Sequence, residues 1–235
     1  MCGRFAATSP GDELAAMFKV QTPGHHLGAN YNVSPATDVY GVCIDNGGEE
    51  QAFERKIEVF SWGLTAKWSQ PNSRQKRLIN ARAETVDTKT SFTQAFRSRR
   101  CIIPADGFYE WKATDASDGK KVAKQPMYIF RSDRELLCMA GIWESRPEQS
   151  GETQTISFAI LTTAANRFMS DIHDRMPVVL PQSAWDEWLD PRNSDVARLK
   201  QMLLPAPGAL FEAHPVDAKV GNPRNNGPEL IAPLA

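Results

Sequence analysis

The chain has 235 residues, of which 41% are hydrophobic and 23% charged, with 27 Lys and Arg against 28 Asp and Glu. This is enough ordinary sequence to fold around its own core, and the near-neutral balance excludes a generically basic nucleic-acid coat. No apolar run approaches the roughly 18 residues of a membrane span, and the opening Met1-Cys2-Gly3-Arg4-Phe5 lacks the start of a secretory signal, so a cytoplasmic protein without membrane contact is expected.

Taken in chain order, Ser9 as N-cap, Pro10 in the first turn and Leu14, Met17 and Phe18 on one face predict a short helix. Strands follow at 38–45 and 52–62, separated by the hairpin signal Asn46-Gly47-Gly48. Ser91 and Gln94 have capping-box spacing for a second short helix holding Phe92, Ala95 and Phe96. Apolar runs at 100–104, 126–130, 136–143 and 156–162 read as strands, with Asp118-Gly119 as a turn and 112–125 and 144–154 as loops. Two helices close the pattern, one from Ser183 through Trp185, Trp188 and Leu189, the other from Ser194 through Val196, Leu199, Met202 and Leu203. Strands and helices do not alternate regularly. The expected fold is therefore α+β, a single domain over 1–235 with a curved or barrel-like, mainly antiparallel β core and short peripheral helices.

The four cysteines, Cys2, Cys43, Cys101 and Cys138, are widely spaced with no Cys-x-x-Cys pair, which excludes a disulfide framework and a zinc ribbon; no metal and no cofactor are expected. Cys43 and Cys138 lie in apolar runs and read as core. Cys2 differs, because removal of Met1 makes it a bifunctional N-terminus, with a thiol of pKa about 8.5 beside an α-amine of about 7.7–8.0. An aldehyde meeting that pair forms an imine with the amine, which the thiol closes to a five-membered thiazolidine. Position 2 gains meaning only with partners. In 78–85, Asn80, Arg82 and Glu84 share one face if the segment is extended. In 103–111, Glu110 sits among Phe108, Tyr109 and Trp111, an environment that suits a carboxylate for general acid and base work. His173 stands in the Pro-terminated segment 172–177. Each also has a structural reading, as an edge strand, a surface glutamate or a satisfied histidine.

Lys67, Arg74, Lys76, Arg77, Arg82, Lys89, Arg97, Arg99 and Arg100 face only Glu84 and Asp87 within 67–100. That run is either a solvated surface or a groove for phosphates.

Together, Cys2-Gly3-Arg4-Phe5, Tyr31-Asn32-Val33-Ser34-Pro35, Trp62-Gly63-Leu64, Asn80-Ala81-Arg82-Ala83-Glu84-Thr85, Pro104 to Trp111, His173-Asp174-Arg175-Met176-Pro177 and Gly221 to Ile231 resemble, in order, the motifs of the SRAP family of abasic-site processing proteins. The resemblance implies covalent capture by Cys2 of the ring-opened aldehyde of abasic sites in single-stranded DNA, with Asn80 orienting the amine, Glu110 shuttling protons and His173 assisting ring opening and reversal. It also implies loss of Met1, which the family is credited with removing itself. Under it the basic run becomes part of a DNA channel, with Gly3, Arg4 and Arg82 beside the phosphates, Trp68 and Trp111 stacking on bases, and Asn32, Pro35 and Thr162 lining the pocket. For both tryptophans core packing is the alternative. The sequence departs from many relatives at Thr65-Ala66, which affects the local loop shape. Single-stranded DNA is the expected partner of a monomer. Competing readings are an N-terminal-nucleophile hydrolase of the glutamine amidotransferase kind and a non-covalent reader of modified DNA in which Cys2 is incidental.

Overall fold

A computed structural model describes residues 2–44, 54–65, 77–114, 124–147 and 154–234. The predicted turns at 46–48 and 118–119, together with Lys67, Trp68, Arg74 and Lys76, lie outside the described residues. In chain order the strands are β1 (Phe5–Ala7), β2 (Asn30–Val33), β3 (Asp38–Ile44), β4 (Arg55–Trp62), β5 (Asn80–Arg82), β6 (Arg100–Ala105), β7 (Gly107–Ala113), β8 (Lys124–Arg131), β9 (Leu137–Pro147), β10 (Gln154–Ala164), β11 (Arg175–Pro177) and β12 (Phe211–Pro215). The helices are α1 (Gly11–Phe18), α2 (Thr93–Ser98), α3 (Arg167–Ser170), α4 (Trp185–Leu189) and α5 (Val196–Gln201).

Five strands close on themselves. β4 pairs β3, β3 pairs β6, β6 pairs β9 and β9 pairs β10, all antiparallel, and β10 returns to β4 through a parallel pairing of Ser157 and Phe158 with Ser61 and Trp62. The result is a small mixed barrel, which bears out the expected curved β core. Alternation explains why β9 reads as a nearly unbroken apolar run over 137–143. On β9, Leu137, Met139 and Trp143 join one core cluster with Phe60, Trp62, Phe158 and Ile160, while Cys138, Ala140 and Ile142 join a second. That second cluster is covered by Leu14 and Phe18 of α1, Ala95 and Phe96 of α2 and Trp185 and Trp188 of α4. Gly41 on β3 is required by this packing, since a Cβ there would lie 2.6 Å from the Phe60 ring.

β5 and β11 extend the barrel sheet by pairing β10, and the other five strands form an antiparallel sheet in the order β12-β8-β7-β1-β2. Its Phe5, Val33, Phe108 and Ile129 pack into the first cluster, whereas Ala6, Tyr109, Tyr128 and Phe130 form a third cluster capped by Val216, Val220 and Leu230 of the C-terminal segment. This sheet brings residue 2 against the barrel.

Four helix starts differ from expectation, among them α4, which follows a 3-10 turn over Gln182–Ala184 and has no side-chain cap from Ser183. α1 begins at Gly11 after an extended Pro10 that makes no side-chain cap, so Ser9 does not cap it. α2 begins at Thr93 without the Ser91–Gln94 box, and α5 is capped by Asp195, whose carboxylate accepts from Arg198 N at 3.0 Å, not by Ser194. The loop expected over 144–154 starts late: Glu144 to Pro147 continue β9 opposite β10, and the buried Glu144 pairs with Arg99 at 2.6 Å.

Buried titratable groups give the fold a pH dependence. Burial pushes the Cys138 thiol up to about 12 and raises Cys2, Cys101, Tyr109 and Tyr128 as well. A group whose folded pKa exceeds its unfolded value contributes stability that is complete below the unfolded pKa and is lost as pH rises toward the folded one. Each thiol ionising only in the unfolded chain removes about 1.4 kcal/mol per pH unit above about 8.5. The melting temperature is therefore expected to hold between about pH 7 and 8 and to fall progressively from about pH 9; a flat profile to about pH 11 would contradict this.

Candidate active site

β1 pairs β7 with Phe5 opposite Phe108 and Ala6 opposite Gly107, and the Tyr109 N–H donates to Arg4 O at 2.9 Å. Continued past the strand end, this register sets Gly3 opposite Glu110 and Cys2 one residue further on, within the field of the Glu110 carboxylate. Cys2 is completely buried, its Sγ 3.9 Å from Arg4 O. Its carbonyl accepts a hydrogen bond from Asn80 Nδ2 at 2.8 Å, while Asn80 Oδ1 is buried without a hydrogen-bond partner among the described residues. Asn80 is presented by β5, which runs parallel to β10 with Asn80 beside Ile160 and Arg82 beside Thr162. The thiol is held well above its ordinary pKa, first by burial and then by the negative charge of Glu110. Glu110 is 4% exposed, and its Oε2 lies 3.8 Å from His173 Nε2.

His173 owes its place to a chain of local contacts. Asn166 caps α3, its Oδ1 accepting from Met169 N at 2.8 Å, and Met169 O then accepts from His173 N at 2.8 Å. The imidazole Nδ1 accepts from Arg175 N at 3.0 Å and lies 2.8 Å from the exposed Asp174 carboxylate. Nδ1 is thus engaged on its own side of the ring, and Nε2 is directed toward Glu110. Four sequence segments thus converge: Asn80 on Cys2, Cys2 against Glu110, Glu110 facing His173.

The other expected site residues are distributed around this centre. Arg82 is exposed at the end of β5, Gly3 and Trp111 are half-buried, and Trp111 packs against the third cluster. Thr162 is fully buried; its carbonyl accepts from Arg175 Nη2 at 2.6 Å and its hydroxyl lies 3.3 Å from the same nitrogen. Glu84 does not extend the face of Asn80 and Arg82, because β5 ends at Arg82; it lies beyond the strand and holds Arg175 through two bonds of 2.5 and 2.9 Å. Pro35 is exposed in a turn closed by Thr37 N to Ser34 O at 3.1 Å, with Ala36 at φ 72°, the type II position that favours glycine. Arg4 Nη1 donates to Asn32 Oδ1 and to Val220 O, each at 2.8 Å.

The basic run needs correction. Arg99 is paired with Glu144, and Arg100, 1% exposed, is an internal clip that donates to the carbonyls of Trp188, Phe96 and Arg97 at 2.6, 2.8 and 2.6 Å and also to Asp190. Arg100 is therefore no part of a surface, and the half-buried Arg99 is already engaged by Glu144. Arg77, Arg82, Lys89 and Arg97 are exposed. Arg175 and Tyr109 were not singled out by sequence reasoning, although both lie in motifs it quoted; what ties them to the site is partners remote in the chain.

Fold and site together define a protein that delivers its second residue from the end of a strand into a buried polar cluster at the wall of a mixed β barrel. The model of the SOS response associated peptidase (SRAP) family matches residues 1–223, and the chain belongs to that family. It is 36% identical over 233 residues to the abasic site processing protein YoqW of Bacillus subtilis, covering 98% of this chain and 99% of that one. It is 32% identical over 244 residues to the abasic site processing protein YedK of Escherichia coli, with 100% of both chains covered. Among solved structures, a protein of Bacteroides thetaiotaomicron superposes with a TM-score of 0.82 at 25% identity, covering 100% of each chain.

Proposed function

We propose that this protein processes abasic sites in DNA, and that it does so by covalent capture at Cys2. The observation that carries the reading is the cluster itself: a buried cysteine at position 2 whose carbonyl is held by Asn80 and whose thiol faces a buried carboxylate. Hydrolysis of the Met1–Cys2 bond comes first and frees the α-amine. Asn80 Oδ1 is then the acceptor available to orient that amine. The amine adds to the aldehyde of the ring-opened deoxyribose and water leaves, giving an imine. The thiol adds across the C=N bond, its sulfur bonding carbon while its proton passes through Glu110 to nitrogen, and the thiazolidine ring closes without any change of oxidation state.

Burial suits this order of events. A thiol held protonated is a poor competitor for the aldehyde, so the amine reacts first and the thiol second. His173, its Nε2 3.8 Å from the Glu110 carboxylate, serves to pass a proton to the sugar ring oxygen as the ring opens and takes part in reversal. Exposed Arg82 beside the site and half-buried Trp111 supply a phosphate contact and a stacking face for a single strand. Neither role draws on base identity, in keeping with a substrate that has lost its base.

Intact mass spectrometry before and after incubation with an oligonucleotide carrying one abasic site tests the reading. The expected species are protein without Met1, and protein plus oligonucleotide less one water. Met1-free protein that forms no adduct but releases ammonia from glutamine would favour the amidotransferase reading instead.

A further inference from the structure

The motif over 221–231 has no place in the chemistry above, yet it is tied to the site by its own hydrogen bonds. Asn32, 2% exposed, uses its whole side chain internally: Oδ1 accepts from Arg4 Nη1 at 2.8 Å, and Nδ2 donates to Asn222 O at 3.0 Å and to Asn225 O at 2.9 Å. Arg4 Nη1 also reaches Val220 O at 2.8 Å. The turn carrying these carbonyls is fastened from both sides, since Asn225 Nδ2 donates to Lys219 O at 2.8 Å, while Asn226 Oδ1 accepts from Tyr31 N at 2.8 Å and Asn226 Nδ2 donates to Ala29 O at 3.2 Å. Arg4 is meanwhile the residue whose carbonyl meets both Cys2 Sγ and Tyr109 N.

We propose that residues 220–226 are a clasp that fixes the chain start through Asn32 and Arg4, making Asn32 a positioning residue for Cys2 and the C-terminal segment a working part of the active site. The need is physical. Cys2 lies beyond the end of β1, where strand pairing no longer restrains it, and a nucleophile misplaced by about 1 Å loses about 10²-fold in rate. Beside the Asn80 bond to the Cys2 carbonyl, an arginine side chain anchored at two carbonyl-type oxygens restrains the adjoining backbone, and half-burial lowers the pKa of Arg4, as expected for a guanidinium taken from water to serve a structural contact.

The inference rests on the capture reading, and its test separates the two. Asn225→Ala/Asn226→Ala opens the fastening at half-buried and exposed positions, leaving Cys2, Asn80, Glu110 and His173 unaltered; Asn32→Ala removes the hub. For both, the single-turnover rate of adduct formation at saturating abasic oligonucleotide is measured beside non-covalent affinity for the same oligonucleotide in a Cys2→Ala background. The rate is expected to fall about 10²-fold with affinity unchanged within about twofold, and with the cooperative melt retained in the double variant. Should the double variant keep the wild-type rate at saturation, or should its loss lie wholly in affinity, the clasp is overturned, in the second case in favour of a DNA-contacting surface. Absence of any adduct from the wild type would instead defeat the capture reading.

Discussion

Glu110→Gln is expected to slow adduct formation by about 10² to 10⁴-fold, the usual worth of a positioned proton-transfer group. Two effects oppose each other in this variant. Loss of the carboxylate removes the group that accepts the thiol proton when sulfur attacks the imine. It also removes a negative charge that raises the thiol pKa, which by itself would speed the reaction. Burial is the larger cause of the raised thiol, and glutamine leaves burial unchanged, so the thiol remains protonated and has lost its base. The first effect wins. Single-turnover rates at saturating abasic oligonucleotide measure it; a variant within about threefold of wild type would remove Glu110 from the proton pathway.

Arg100→Ala is expected to cost about 3–5 kcal/mol of folding stability, read by urea or thermal unfolding. Its guanidinium joins the start of β6 to the end of α2 through Phe96 O and Arg97 O and to the end of α4 through Trp188 O. Burial pushes its pKa down to about 10, the mark of a cation drawn far from water, and its removal strands several carbonyls at once. A surface DNA contact would behave differently, lowering DNA affinity with stability unchanged within about 0.5 kcal/mol. That outcome would restore Arg100 to the channel.

Arg100 also shows where sequence reading stops. A run of positive charge reports composition, not direction, and whether a guanidinium faces water depends on carbonyls supplied by residues 88 and 90 positions away. The barrel strands were legible for the opposite reason. β6 and the first part of β9 are buried on both faces, so the apolar runs 100–104 and 136–143 carry their own signal, with no partner needed. β1, β2, β5, β11 and β12 are three to five residues long, and all but β1 mix polar with apolar positions, so pairing, not pattern, makes them strands. Cap signals failed similarly at Ser9, Ser91, Ser183 and Ser194. Helices this short gain most of their stability from packing, and a side-chain cap is then optional.

The centre was readable as a set of residue types but not as a place. Cys2, Asn80, Glu110 and His173 lie in four segments spread over most of the chain, and only the pairing of β1 with β7 and of β5 with β10 sets the first three side by side. The clasp was the least visible part. The family resemblance implies a pocket-lining role for Asn32, whereas its partners are the Arg4 side chain and two main-chain carbonyls, which no motif records.

The central claim is that amine and thiol of residue 2 act together, and the most direct measurement is adduct survival in acid and heat for wild type, Cys2→Ser and Cys2→Ala with one abasic oligonucleotide. The account predicts a surviving adduct from wild type, at most a labile imine from Cys2→Ser, and no surviving adduct from Cys2→Ala. A surviving adduct from either variant would contradict it.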